Sequence, residues 1–79
     1  MTLKTWIEKW AAGEKVPAKQ ASMSIRDGKL YSYETLIAEK EPNNTIKLNA
    51  KKYSVTTSKQ QGYIRYAARV NCMFLFEYV

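Results

Sequence analysis

The chain has 79 residues, 46% of them apolar and 25% charged, with 13 Lys or Arg against 7 Asp or Glu, and no His. Two Trp and six Tyr are more than a disordered chain carries, so one globular domain over residues 1–79 is expected, at a size where folding buries only about 60% of the surface exposed in the unfolded chain. With no His and one Cys, the usual zinc, copper and haem ligand sets and the Ser-His and Cys-His nucleophile pairs are excluded.

The first element is a short helix. In "TLKTWIEKWAAG", Leu3, Trp6, Ile7 and Trp10 recur at i, i+3, i+4 and i+7, with Thr2 placed to cap the start and Gly13 to end it. The stripe is heavy in Trp, and both rings are expected to dock on a sheet rather than protrude toward a partner. "EKVPAKQA" reads as a connector, because Pro17 has no amide proton and disfavours helical angles at Val16.

In "MSIRDGKLYSY", Asp27-Gly28 joins two alternating segments and marks a two-residue hairpin. Arg26 should face Lys29, Ile25 face Leu30, Ser24 face Tyr31 and Met23 face Ser32. Met23, Ile25 and Leu30 then share the core side; Ser24, Arg26, Lys29, Tyr31 and Tyr33 share the other. "TLIAEKE" and "TIKLNA" follow as strands joined at Pro42, Asn43 and Asn44, giving an antiparallel meander of three to four strands with "KKYSV" as a possible fourth.

Ser58, with Gln61 three residues on, fits a capping box and places a second helix over residues 58–70, with Ile64, Ala67 and Ala68 on its apolar face. Gly62 inside that helix costs about 1 kcal/mol relative to Ala. It implies either a tight approach to the sheet or a need for bare backbone at the surface. "CMFLFEYV" reads as a buried closing strand, with helical continuation as the alternative, and Cys72 within it as a small buried hydrophobe. The fold class is therefore α+β: an N-terminal helix, the meander, a helix near residues 58–70 and a C-terminal strand.

Residues 1–41 hold seven basic and six acidic residues, whereas residues 42–76 hold six basic residues and no acid. The cations there are interleaved with tyrosines. Lys51, Lys52, Lys59, Arg65 and Arg69 could neutralise phosphates while Tyr53 and Tyr66 offer rings for stacking on bases, the combination that nucleic-acid binding requires. The competing interpretation is of lysines that guard a strand edge and tyrosines that are half core. The carboxylates form no recognisable acid pair, and the three glycines, Gly13, Gly28 and Gly62, are too dispersed for a phosphate-cradling motif. A non-enzymatic protein without cofactor or metal is expected. The apolar run near the C-terminus is broken by Glu77 and falls well short of the roughly 20 residues that span a bilayer. Charges at Lys4, Glu8 and Lys9 break up any secretory leader, so a cytoplasmic location is expected.

"YSYETLIAEK", followed by "KLNAKKYSVTTSKQQGYIR", resembles a family of small uncharacterised proteins of tailed bacteriophages and prophages. The likeness runs over residues 30–66, through Tyr31-Ser32-Tyr33, Thr35, Ile37-Ala38, Tyr53-Ser54 and Thr56-Thr57-Ser58-Lys59. Where that family often has His, this chain has Gln60, so no imidazole chemistry carries over. The resemblance implies a phage or mobile-element origin and action inside a bacterial cell.

Two functions from different classes follow. One is a nucleic-acid-binding accessory protein acting through Lys51, Lys52, Tyr53, Lys59, Arg65, Tyr66 and Arg69. The other is a phage-encoded inhibitor, anti-CRISPR-like in kind, that blocks a host defence protein by protein-protein binding. Neither involves a membrane, and an open strand edge leaves a homo-oligomer possible.

Overall fold

The computed structural model describes residues 1–79 as one α+β unit of two helices and a six-stranded mixed sheet. Helix α1, Leu3–Ala11, starts where Thr2 accepts the Thr5 amide on its side-chain oxygen at 3.2 Å. It ends where Gly13 turns left-handed (φ 81°), with the Gly13 and Glu14 amides donating back to the Trp10 and Lys9 carbonyls. Both indoles are buried. Trp6 donates from Nε1 to the Pro17 carbonyl and Trp10 to the Gly28 carbonyl, each at 2.9 Å. Their polar edges thus fasten α1 to the connector and to the first predicted hairpin.

Strands β1, Lys19–Gln20, and β2, Met23–Arg26, are joined by a tight turn in which Ala21 is left-handed. The connector expected from Pro17 therefore closes with a two-residue edge strand. β2 pairs with β3, Lys29–Ser32, in the register read from the sequence, from Arg26 opposite Lys29 to Met23 opposite Ser32. Asp27 and Gly28 have φ of 52° and 77°, the doubly positive pair that a type I′ turn demands. Tyr33 departs from the expected strand: it sits left-handed (φ 56°) in the two-residue turn between β3 and β4, Thr35–Glu41.

A β-bulge falls at Ile37, because Leu30 pairs with Ala38 while Tyr31 pairs with Leu36. Ile37 and Ala38 are both buried. β5, Thr45–Asn49, pairs antiparallel with β4. Asn43 and Asn44 adopt the left-handed backbone that suits Asn in the intervening turn.

Helix α2, Val55–Val70, then carries the chain back so that β6, Phe74–Tyr78, lies parallel to β5 at the sheet edge. The tail is a strand, but the expectation that it is buried fails: Phe74 and Phe76 are 71% and 55% exposed, because β6 has one neighbour and no cover on their side. Cys72 is also exposed rather than buried. It occupies the left-handed position (φ 54°) that ends α2.

Residues paired across strands share a face, so the register places Met23, Leu30, Ala38, Ile46 and Leu48 on one side of the sheet. These join Trp6, Ile7, Trp10, Ile64, Ala67 and Ala68 of the helices in a single core. Both helices lie on that side. The other face, with Tyr31, Lys47, Phe74, Phe76 and Tyr78, carries no helix. No helix is long and apolar enough to cross a membrane.

Candidate anion-binding surface

Residues 51–54, read as a possible fourth strand, have no regular structure but are held firmly. Gln61, nearly fully buried, donates from Nε2 to the Asn49 and Lys51 carbonyls at 2.8 and 2.9 Å. Asn49 in turn donates to the Leu36 carbonyl and the Tyr53 hydroxyl, and accepts the Lys51 amide. The backbone beneath Lys51 and Lys52 is thereby fixed while their side chains face solvent.

These bonds also explain why α2 begins earlier than the capping-box pattern suggests. Gln61 is committed to the β5–α2 connection, and Ser54, in extended conformation, is the cap: its Oγ accepts the Thr57 amide at 3.2 Å. Ser58 lies one turn inside the helix. Lys59 is consequently the fifth helical residue rather than a first-turn one, so no unfavourable interaction with the helix dipole bears on it. The first turn of α2 contains no acid.

Of the seven residues singled out in the sequence, Lys51, Lys52, Lys59 and Arg69 are exposed and form no ion pair. Arg65 is not free. Its Nη2 and Nε donate to one carboxylate oxygen of Glu77 at 2.9 and 3.2 Å, joining α2 to the edge strand. The hydrogen bond from Arg65 holds the Glu77 carboxyl below the usual carboxylate range and, reciprocally, raises the guanidinium.

Tyr66 is 40% exposed, and the Lys4 ammonium of α1 stands 4.1 Å from its ring centroid. Tyr53 is 43% exposed with Lys51 5.7 Å from its ring. Lys4 therefore belongs to the surface, although nothing in its own sequence neighbourhood singles it out. Its partnership with Tyr66 depends on the packing of α1 against α2.

Lys59, Gly62, Tyr66 and Arg69 are spaced by three, four and three residues, which sets them in one line along the outer side of α2. At 1.5 Å per residue the line is about 15 Å long. A Cβ at Gly62 would meet nothing within 4 Å, and its φ is not left-handed. Of the two alternatives open for Gly62, a tight approach to the sheet is excluded and the bare backbone lies at the surface, flanked by cations and a ring.

No curated protein and no solved structure matches the chain. A protein-family model does match over residues 4–71, which spans α1 through the end of α2 and takes in every residue of this surface. The chain belongs to that family, DUF8033, a family of unknown function.

Proposed function

We propose that this protein is a non-enzymatic accessory factor that binds nucleic acid across the outer side of α2 and the β5–α2 connection. The observation that carries the proposal is that Lys59 and Arg69, cations without an ion pair, flank Gly62 on the outer side of α2, with Lys52 likewise unpaired on the β5–α2 connection, in a segment without acids. Backbone phosphates meet such cations with release of counterions, and exposed Tyr53 and Tyr66 add flat surfaces for bases. Arg65 has a structural role in this scheme, holding β6 to α2. The likeness to phage proteins supports a setting in the bacterial cytoplasm, with host or phage nucleic acid as the ligand.

Replacing Lys52, Lys59 and Arg69 together with Gln should preserve the fold and flatten the slope of log affinity against log salt by about two to three units, one per lost phosphate contact. Fluorescence anisotropy on a random-sequence single strand and duplex reads this directly. Equal affinity and equal slope in the triple variant would sink the proposal.

A second reading rests on a different observation. Phe74 and Phe76 stand exposed on the uncovered sheet face beside an open strand edge, an apolar surface that suits a protein partner. A phage inhibitor docking β6 onto a host defence protein would lose its binding in a Phe76→Lys variant. Its affinity would be insensitive to the triple Gln change.

A further inference from the structure

The two edges of the sheet are guarded differently. β1 is two residues long and carries exposed Lys19, short and charged as natural sheet edges are. β6 is a regular strand of five residues with no Lys, no Pro and an unbroken register against β5. Its one charge, Glu77, is bonded to Arg65 of the same chain. A long, aromatic edge without a guarding charge is a template for the addition of another strand.

The backbone fixes which groups that edge offers. The Phe74 amide donates to the Asn44 carbonyl at 2.9 Å, and the Tyr78 carbonyl accepts the Ala50 amide at 2.7 Å. Backbone groups alternate in direction along a strand, so Phe74, Phe76 and Tyr78 turn theirs toward β5. Leu75 and Glu77 turn their amides and carbonyls outward, where no strand meets them.

This edge matches a copy of itself run antiparallel. With Phe76 on a two-fold axis, Leu75 faces Glu77 of the second copy and exchanges both hydrogen bonds with it, twice over by symmetry. Phe76 then faces Phe76, and Phe74 faces Tyr78, as close pairs without hydrogen bonds, where side chains pack tightest. A centre at Glu77 would instead set two carboxylates opposite each other, and one at Leu75 would leave both Tyr78 rings without a partner. Because Glu77 is neutralised by Arg65 and Lys47 stands 5.3 Å from the Tyr78 ring of its own chain, the seam brings no unpaired charges of β6 together despite the net +6 of the chain.

At about 200 Å² for a whole aromatic side chain, Phe74 and Phe76, 71% and 55% exposed, offer on the order of 250 Å² per copy. With Val79, 95% exposed, and the edge backbone, two copies would bury on the order of 1,000 Å², the lower end for a specific interface. That area suits a reversible dimer rather than an obligate one.

We propose that β6 is a self-association edge, pairing antiparallel with β6 of a second copy about Phe76 to join two six-stranded sheets into one. The axis stands perpendicular to the sheet, so both α2 helices lie on the same side of the joined sheet. Use of the two basic helices on one nucleic acid rests on the reading above, while the pairing stands on the edge itself.

The test is sedimentation of the full chain from about 1 µM to 1 mM, with double electron-electron resonance on a nitroxide at Cys72, the single and exposed cysteine. Cys72 lies four positions from Phe76, so at about 3.4 Å per residue the two backbones should be about 27 Å apart; centres at Leu75 or Glu77 would give about 20 or 34 Å. Phe76→Lys, which sets like charges opposite each other, and Glu77→Pro, which removes an outward amide and leaves the ladder to β5 intact, should each weaken the dimer at least about tenfold. Glu77→Ala keeps the amide and should stay within about threefold of the parent. Circular dichroism of each variant at low concentration should match the monomeric parent.

The proposal is overturned if the chain remains monomeric at 1 mM, which would leave the edge to a different protein, or if the dimer gives another distance or survives both Phe76→Lys and Glu77→Pro. Salt-dependent nucleic-acid binding by a chain that stays monomeric would sink this inference alone. A dimer of the stated register that binds no nucleic acid would sink the polymer reading alone.

Discussion

Gly62→Ala separates the stability of α2 from its use. Gly62 lies in the interior of the helix with ordinary helical φ, and an added methyl would have open space around it. No clash opposes the gain in helix propensity, which is about 1 kcal/mol for Gly to Ala in an exposed helix interior. For a domain of this size that corresponds to a rise of about 4–8 °C in the melting midpoint. Thermal and urea unfolding followed by circular dichroism should show the same increment, with an unchanged urea slope. An unchanged or lower midpoint would refute the placement of Gly62 as an unstrained, unencumbered helical residue. The same variant bears on function: if a ligand approaches the bare backbone between Lys59, Tyr66 and Arg69, the methyl should weaken nucleic-acid binding even as it stabilises the fold. Stabilisation with unaltered affinity would place the ligand elsewhere.

Ser54→Ala should cost about 1 kcal/mol through loss of the α2 cap, whereas Ser58→Ala should change stability by under about 0.5 kcal/mol; chemical denaturation of the pair checks the order. Cys72→Gly should raise stability by about 1 kcal/mol, since the left-handed turn that ends α2 carries a Cβ it does not need, and a lower midpoint would argue against that backbone. Glu77, whose folded-state pKa is depressed, contributes stability above its unfolded-state pKa that is lost as pH falls through the lower folded value. Melting midpoints from pH 6 down to pH 3 should therefore fall less steeply in Glu77→Gln than in the parent. The effect should be small because the pair is solvent-accessible.

Several decisions that rest on neighbours in the chain are legible in the sequence. Thr2, the Trp6–Trp10 stripe and Gly13 delimit α1, because capping and periodicity act within a few residues. Asp27-Gly28 sets the β2–β3 register, because a two-residue turn leaves one pairing available. The concentration of cations in residues 42–76 is visible in composition alone.

Other features depend on contacts distant in sequence. Ser58-x-x-Gln61 has the pattern of a helix start, but the cap of α2 falls at Ser54 because Gln61 is drawn onto the Asn49 and Lys51 carbonyls. "FLFEY" has the pattern of a strand, but that it pairs parallel with β5 and leaves its phenylalanines bare follows from α2 crossing back over the sheet. Arg65 has the look of a free cation until β6 brings Glu77 beside it. Ser32 and Lys52, twenty positions apart, meet at one cleft only because the β3–β4 turn and the β5–α2 connection reach the same end of the core. Local chemistry selects the elements, while burial of one shared apolar face decides which of their polar ends converge.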